Sequence, residues 1–342
     1  MPHHVSDRRQ FVKRVGAISA ASGIAGLAGC AGDEGDEITL DFNSPAGEES
    51  IQGLVPTWFS EYVEELNVGI EIETYFGGEL GGHNEAIDNV ASGALDMHVS
   101  GYALYGGYNP LIEAFTTPYL FDEPAEALEG LDRENNEAAD EILTSMEEEH
   151  GIRLLGPAPQ GIRRITTTDT PVREPSDLEG LTLRAVPTPV YSNTVQAMGP
   201  ATEEVDQPEI PTALATGTVD GQENPYNIIY GDGIYEHQNY VTETNHMITL
   251  LPMAISEQTY QDLTPEQQDA IHEAADRTGE RGLEWWENET ENIKNTLREE
   301  GLEIIEEDEI DHSVWEEQVK SYVKSEMSDE FVETVQRFDS DW

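Results

Sequence analysis

The sequence predicts an α/β protein in which sheet strands are flanked by helices, arranged as two such units. Three observations carry this. Between Ile38 and Ser100 the apolar spacing switches between period two and helical period, in the order strand, helix, strand, helix, strand. Parallel strands covered by helices follow from that order. The same alternation begins again near Gly161. Finally, a periodic stretch opens at Thr264-Pro265-Glu266 and continues to about Glu299. A helix of about 35 residues spans about 50 Å, enough to bridge two lobes.

Taken in order, Ile38–Phe42 alternates and reads as the first strand, and Ser44-Pro45-Ala46-Gly47 as a turn. Ile51–Leu66 carries Leu54, Val55, Trp58, Phe59, Tyr62, Val63 and Leu66 at helical spacing. Val68–Phe76 alternates again, Glu79–Gly93 is a glycine turn and then a helix, and Asp96–Ser100 is a short strand. Tyr102, Tyr105, Tyr108 and Phe115 crowd the next loop and helix at a spacing typical of core. Glu123–Glu149 is an acidic helical region, and Ile152–Gly156 a strand leading out of it. The second unit comprises strands at Ile162–Thr167 and Leu181–Val186 and helices at Val190–Met198 and Pro208–Ala215. Asp220–Pro225 is a polar turn, with Asn224 held extended by the following proline. Ile248–Ile255 is strand-like. Threonine, proline and glutamate open the long helix, with Gly301 beyond its end; Gly279 and Gly282 are candidate bends. Leu302–Ile305 is a late strand and Val314–Phe338 a terminal helix.

The chain of 342 residues holds 17 Lys and Arg against 70 Asp and Glu, a formal charge of −53. Such a field excludes nucleic acid and anionic membrane surfaces as partners. The acids are dispersed rather than confined to a tail. A dispersed acidic surface with few lysines suits molar salt, where self-repulsion is screened within a few ångströms, so the composition points to a halophile.

At the N-terminus, Asp7-Arg8-Arg9-Gln10-Phe11-Val12-Lys13 reads as a twin-arginine export signal, followed by a small-residue apolar stretch from Val15 to Gly29. That stretch is too short for an ordinary membrane span. It ends in Leu27-Ala28-Gly29-Cys30, which resembles a lipobox. Cys30 is the single cysteine. It is the expected lipid-anchor site, and its solitude excludes disulfides and thiolate metal clusters within the chain. Ala31–Glu37 is a linker.

Arginines gather in one place. Arg153, Arg163, Arg164, Arg173 and Arg184 fall within about 30 residues, opposed there by Asp169, Glu174, Asp177 and Glu179. The forked, permanently charged guanidinium suits bidentate capture of a carboxylate or phosphate. Most of these arginines are expected to pair with surface acids. Arg184 differs, because its apolar run Leu181–Val186 offers no acid, leaving a buried partner or a ligand anion. Arg163 and Arg164 point to opposite faces if their segment is a strand, so one of them reaches a cleft.

Other chemistry leaves little trace. The nucleophile-elbow, zinc-protease and EF-hand signatures are missing, and the glycine-rich spots lack phosphate-loop spacing. His83, His98, His150, His237, His246, His272 and His312 show no ligand spacing. No metal or cofactor is expected. Seventy carboxylates guarantee chance pairs, so a hydrolase using two carboxylates stays open at this stage.

Several motifs, in order, resemble the extracytoplasmic solute receptors of tripartite ATP-independent periplasmic (TRAP) transporters. They are Gly78-Glu79-Leu80-Gly81-Gly82, Gly93-Ala94-Leu95-Asp96-Met97, Pro118-Tyr119-Leu120-Phe121, Asp177-Leu178-Glu179-Gly180-Leu181 with Leu183-Arg184, Ala213–Pro225, and Thr244-Asn245-His246. The likeness runs from about Ile38 to Gly301 and is most specific at Val219–Pro225. Combined with the charge, it suggests a haloarchaeal member.

The resemblance implies a two-lobe periplasmic-binding-protein-like fold, its lobes joined by crossing strands and the long helix. The expected divisions are 1–29 signal, 30–37 linker, 38–160 plus 250–289 for one lobe, and 161–249 plus 290–342 for the other. It implies a non-enzymatic receptor that takes an organic acid outside the cell and hands it to membrane permease subunits. Arg184 would hold the ligand carboxylate with help from Asn224, and Arg163 would be the second arginine. His83 resembles a ligand-touching position on the other lobe, and Tyr102 and Gln207 match positions that vary with substrate. Gln207 stands where many relatives carry an apolar or aromatic residue. Together with His83 it tilts the expectation toward a hydroxylated sugar acid over C4-dicarboxylates and 2-oxo acids. Glu209 and His246 read as structural. A secreted hydrolase or lyase on acidic sugars, and a sensory binding protein, are the alternative readings.

Overall fold

The computed structural model describes residues 38–342, which lie within one compact unit, Glu37–Trp342. The expected export signal, the expected lipid-anchor site at Cys30 and the expected linker fall outside the described residues. Nine strands form one sheet: β1 (Ile38–Asn43), β2 (Ile70–Tyr75), β3 (Met97–Val99), β4 (Ile152–Thr167), β5 (Thr182–Ala185), β6 (Ala201–Glu204), β7 (Gly221–Asn224), β8 (Tyr240–Ser256) and β9 (Glu303–Ile305). The order is β2-β1-β3-β8-β4-β7-β5-β6, with β9 on β8. The outer groups β2-β1-β3 and β7-β5-β6 are parallel, and helices supply the crossover connections that parallel neighbours need. The long central pair β4 and β8 is antiparallel. This mixed α/β sheet with flanking helices is the fold class expected.

The first unit forms as its pattern dictates. The helix Ile51–Leu66 is capped by Ser50, whose hydroxyl accepts from the Gly53 amide at 3.2 Å. Ile51, Val55, Phe59 and Val63, four residues apart, make its buried face. The Phe59 ring meets Phe42 of β1 edge-on at 5.6 Å. At the other end Asn67 takes the left-handed conformation, φ 51°, which asparagine tolerates better than most side chains.

Four segments differ from expectation. The two strands read at Ile152–Gly156 and Ile162–Thr167 are one strand, β4. Pro157 and Pro159 sit between register shifts, where a missing amide breaks no ladder bond. The polar turn Asp220–Pro225 is largely the buried strand β7, whose polar side chains find partners on β4. The acidic helical region is two helices, Pro124–Gly130 and Glu137–His150. The terminal helix is also two, His312–Glu326 and Asp329–Phe338, restarted by Ser328, which caps the Phe331 amide at 3.1 Å.

The long helix is Pro265–Glu299, 35 residues, with Thr264 and Gln267 forming a reciprocal capping box. Gly279 and Gly282 mark where it lies on β4. A Cβ on Gly279 would come within 2.7 Å of the Pro157 carbonyl oxygen, and one on Gly282 within 2.9 Å of the Ala158 methyl. These glycines permit close helix–strand approach. Among the described residues no helix is long and apolar enough to cross a membrane.

Candidate ligand-binding site

A cavity of about 610 Å3, counted out to its open mouth, lies against the middle of β4 and the ends of β5 and β7. One wall comes from the start of the helix His83–Ser92 and the segment after β3, through His83, Asn84, Gly101, Ala103 and Leu104. The facing wall holds Arg163, Arg184, Val186, Pro187, Tyr191 and Asn224. Gln52, Asp206 and Gln207 complete it toward a second, outer hollow that shares these three residues with His83 and Asn84.

Arg184 is 3 % exposed. It sits on β5, flanked by β6 and β7, which aims its side chain without freedom to swing. Its Nε donates to the Val205 carbonyl at 2.7 Å, fixing the plane of the guanidinium. Nη1 and Nη2 make no hydrogen bond with the described residues. Every other described arginine has a carboxylate oxygen within 4.0 Å; Arg184 has none. Burial drives its pKa down to about 10; Glu223 opposes that shift and the neighbouring Arg163 charge adds to it. The cavity thus contains a desolvated cation with two donor nitrogens unengaged.

Arg163, equally buried, is in the opposite condition. Its Nε and Nη2 pair with the Glu223 carboxylate. Nη2 also donates to the Glu223 carbonyl at 2.7 Å and to Asn224 Oδ1 at 2.9 Å. The Tyr191 ring lies 4.8 Å from the guanidinium, and the Tyr191 hydroxyl meets Thr249 Oγ1 at 3.1 Å. Glu223 in turn contacts His246 Nε2 at 3.2 Å. Burial alone would raise the Glu223 pKa; Arg163 and His246 hold it down to about 2. Glu223 therefore stays an anion and cancels the Arg163 charge, leaving Arg184 the cation without a counter-ion here. Arg164 turns to the other face, 3.8 Å from Glu243 and over the Tyr226 ring at 4.2 Å.

The remaining expected residues divide. His83 lines the cavity, its Nδ1 2.5 Å from Ser100 Oγ, and burial with the Arg184 charge pushes its pKa down to about 4. It is neutral at physiological pH and can offer or accept a hydrogen bond. Gln207 lines the cavity with its amide nitrogen 2.7 Å from Asp232 Oδ2. Asn224 gives its oxygen to Arg163 and one donor to Gln222 Oε1 at 2.5 Å. Tyr102 is not brought to the cavity. Its ring is 3 % exposed and packs edge-on against Phe115 at 4.7 Å, so this residue belongs to the core while its neighbours Gly101 and Ala103 reach the wall. Glu223, Tyr191 and Thr249 were not singled out from the sequence. Glu223 lies inside the most distinctive motif, but only the pairing of β7 with β4 brings it against Arg163. Tyr191 carries no sequence signal beyond its place in a helix.

Residues 42–330 match the model of the bacterial extracellular solute-binding protein family 7, the DctP family. The chain belongs to this family. It is accordingly an extracytoplasmic solute-binding protein and not an enzyme. Among curated relatives, the 2,3-diketo-L-gulonate-binding periplasmic protein of Escherichia coli is 26 % identical over 268 residues, 78 % of this chain and 80 % of that one. The ectoine-binding periplasmic protein of Halomonas elongata is 29 % identical over 259 residues, covering 75 % and 72 %. Among solved structures, a TRAP periplasmic solute-binding protein of Roseobacter denitrificans with bound L-galactonate superposes with a TM-score of 0.80 at 24 % identity, covering 89 % of this chain and 99 % of that one. That structure shares this fold.

Proposed function

We propose that this protein captures a hydroxylated organic acid of the sugar-acid class outside the cell and delivers it to the membrane subunits of a TRAP-type transporter. The observation that carries the reading is the Arg184 guanidinium, buried, held by Val205 and open at both Nη atoms. A ligand carboxylate is the complement of that fork. Arg163 and Asn224, already locked together, form the edge beside it. His83 and Gln207 supply neutral hydrogen-bonding groups for hydroxyls. The gulonate derivative and galactonate named for the relatives support the same class.

Closure is the second part of the proposal. The division at residues 160/161 and 249/250 would fall within β4 and β8, where Pro159 pairs with Leu250 and Gly161 with Thr249. The register shift between those pairs supports a hinge crossing both strands. Delivery to the cell surface would follow from the twin-arginine signal and a lipid on Cys30.

A thermal-shift screen of the mature domain tests the reading, using aldonates, uronates, C4-dicarboxylates, 2-oxo acids and matched neutral sugars. A ligand confined to the folded state raises Tm by mass action. A shift with a sugar acid and none with its neutral analogue is expected. Shifts with neutral sugars alone would remove Arg184 from the site.

A further inference from the structure

Glu113 is a buried carboxylate that the binding site does not account for. It lies in the 3-10 segment Pro110–Thr116, is 4 % exposed, and has no cation within 4.0 Å among the described residues. Its Oε2 accepts from the Val190 amide at 2.7 Å, across 77 positions of sequence. Val190 is in the first turn of the helix Pro189–Ala197. The residue in the N-cap position, Thr188, makes no capping bond, and its hydroxyl is buried without a partner. Glu113 therefore does from afar what a cap residue does locally, its carboxyl oxygen accepting from a first-turn amide.

The bond joins the two walls of the cavity. Glu113 belongs to the chain that follows β3 and supplies Gly101, Ala103 and Leu104 to one wall. Val190 lies between Pro187 and Tyr191 of the facing wall. Tyr191 in turn stacks on Arg163 and bonds Thr249. A groove running beside the bond, from Gly106 and Tyr108 on one side to Pro187, Thr188 and Pro189 on the other, opens into the cavity at Asn84 and Leu104. Glu113 sits in this seam, its Oε1 so close to Gly106 that a Cβ there would come within 2.5 Å.

We propose that Glu113 is a positioning residue for the ligand cavity: by capping the helix Pro189–Ala197 from the opposite wall, it latches the two walls in their closed arrangement. The inference rests on the reading of the cavity as the acid-binding site. The latch is also sensitive to protons. Burial raises the Glu113 pKa to about 7, and the Val190 amide, its other influence, works against that. Ionisable side chains on the elements packed around it contribute nothing to the shift. They are Tyr102 and Tyr105 after β3, Tyr191 on the capped helix, His246 on β8, the acids and His150 of Glu137–His150, and Arg337 with its neighbouring acids on the last helix. Opening the seam would return Glu113 to water and to an ordinary carboxyl pKa, so the closed form binds the proton more tightly. Closure, and ligand affinity with it, should therefore weaken as pH rises through about 7. With full exposure on opening, the limit is about tenfold between pH 6 and pH 8. Within the cavity His83 at about 4, Glu223 at about 2 and Arg184 at about 10 keep their charge across that window.

The test compares the mature wild-type chain with Glu113→Gln and Glu113→Ala. Protection of the Val190 and Tyr191 amides against hydrogen exchange is measured without ligand, and the Kd of D-glucuronate and L-galactonate is measured by calorimetry from pH 5.5 to 8.5. Glu113→Gln keeps an acceptor oxygen and should retain Val190 protection, with an affinity that no longer changes with pH. Glu113→Ala should lose Val190 protection at least tenfold and bind several-fold more weakly at every pH. Unchanged Val190 protection in Glu113→Ala, or a wild-type pH profile in Glu113→Gln, overturns the latch. If neither acid binds the wild-type chain, the functional reading fails, and the ligand-free exchange still decides whether Glu113 holds the wall.

Discussion

Replacing Arg184 by methionine separates binding from folding more sharply than any other single change. Methionine keeps most of the apolar stem and deletes the charge. Burial has stripped the guanidinium of water, and its pKa falls well below the ordinary arginine value, to about 10. That shift corresponds to about 3 kcal/mol of unfavourable charge burial. A ligand carboxylate on Nη1 and Nη2 offsets this term, and removing the arginine leaves that carboxylate buried and unpaired. Loss of about 2–5 kcal/mol of binding follows, or roughly 30-fold to several-thousand-fold in Kd. The unliganded protein should behave in the opposite way. Deleting a buried cation that has no counter-ion removes a penalty, against about 1 kcal/mol for the lost bond to Val205. Calorimetric titration with the acid found by screening, and urea unfolding without it, measure the two sides. The reasoning fails if Arg184→Met binds within threefold of wild type. It fails equally if the unliganded variant loses more than about 2 kcal/mol of stability, because Arg184 would then be a structural residue.

Other perturbations follow from the same geometry. Glu223→Gln strands Arg163 as a second buried unpaired cation and should cost about 3–5 kcal/mol of unfolding free energy in urea. Because the Glu223 pKa is depressed from 4.5 to about 2 in the fold, its contribution is complete above pH 4.5 and lost as pH falls through about 2. Acid unfolding of wild type should show that loss, and Glu223→Gln should lack it. Gly279→Ala would gain up to about 1 kcal/mol from helix propensity in a free helix. Here the new methyl meets the Pro157 carbonyl, so a net loss of about 1–3 kcal/mol is expected in thermal unfolding. Apart from that geometry, the proposed lipid on Cys30 predicts that Cys30→Ser releases the receptor from the cell surface into the medium, as read by fractionation and immunoblotting.

Much of the fold was legible because its elements are locally consistent. Ile51–Leu66 has its cap, its four-residue apolar spacing and its left-handed exit residue, and the helix has the expected bounds. Pro265–Glu299 announces itself by a threonine, a proline and a sustained stripe. The failures share one cause: satisfaction from a distance. The first of the two expected strands stopped at Gly156, ahead of Pro157 and Pro159, whose tolerance within β4 depends on bulges in the pairing with β8. Gln222, Glu223 and Asn224 read as a polar turn because their partners lie about 60 positions earlier on β4.

The same distinction runs through the site. Arg184 stood out because its own strand offers no acid, which is a local fact. Which of the other arginines would be neutralised depended on contacts that local pattern does not encode. Arg163 was expected to be the second arginine of the site; it lines the cavity, but Glu223 pairs with it, so its charge is neutralised beside Arg184. That changes the chemistry of the cavity. Two free guanidinium groups would favour a doubly charged acid, whereas one free group beside a neutralised pair favours a single carboxylate with hydroxyls to meet His83 and Gln207. A formal charge of −53 is compatible with anion capture because salt screens the dispersed surface charges over roughly 8 Å, while burial leaves a short guanidinium–carboxylate contact far less screened.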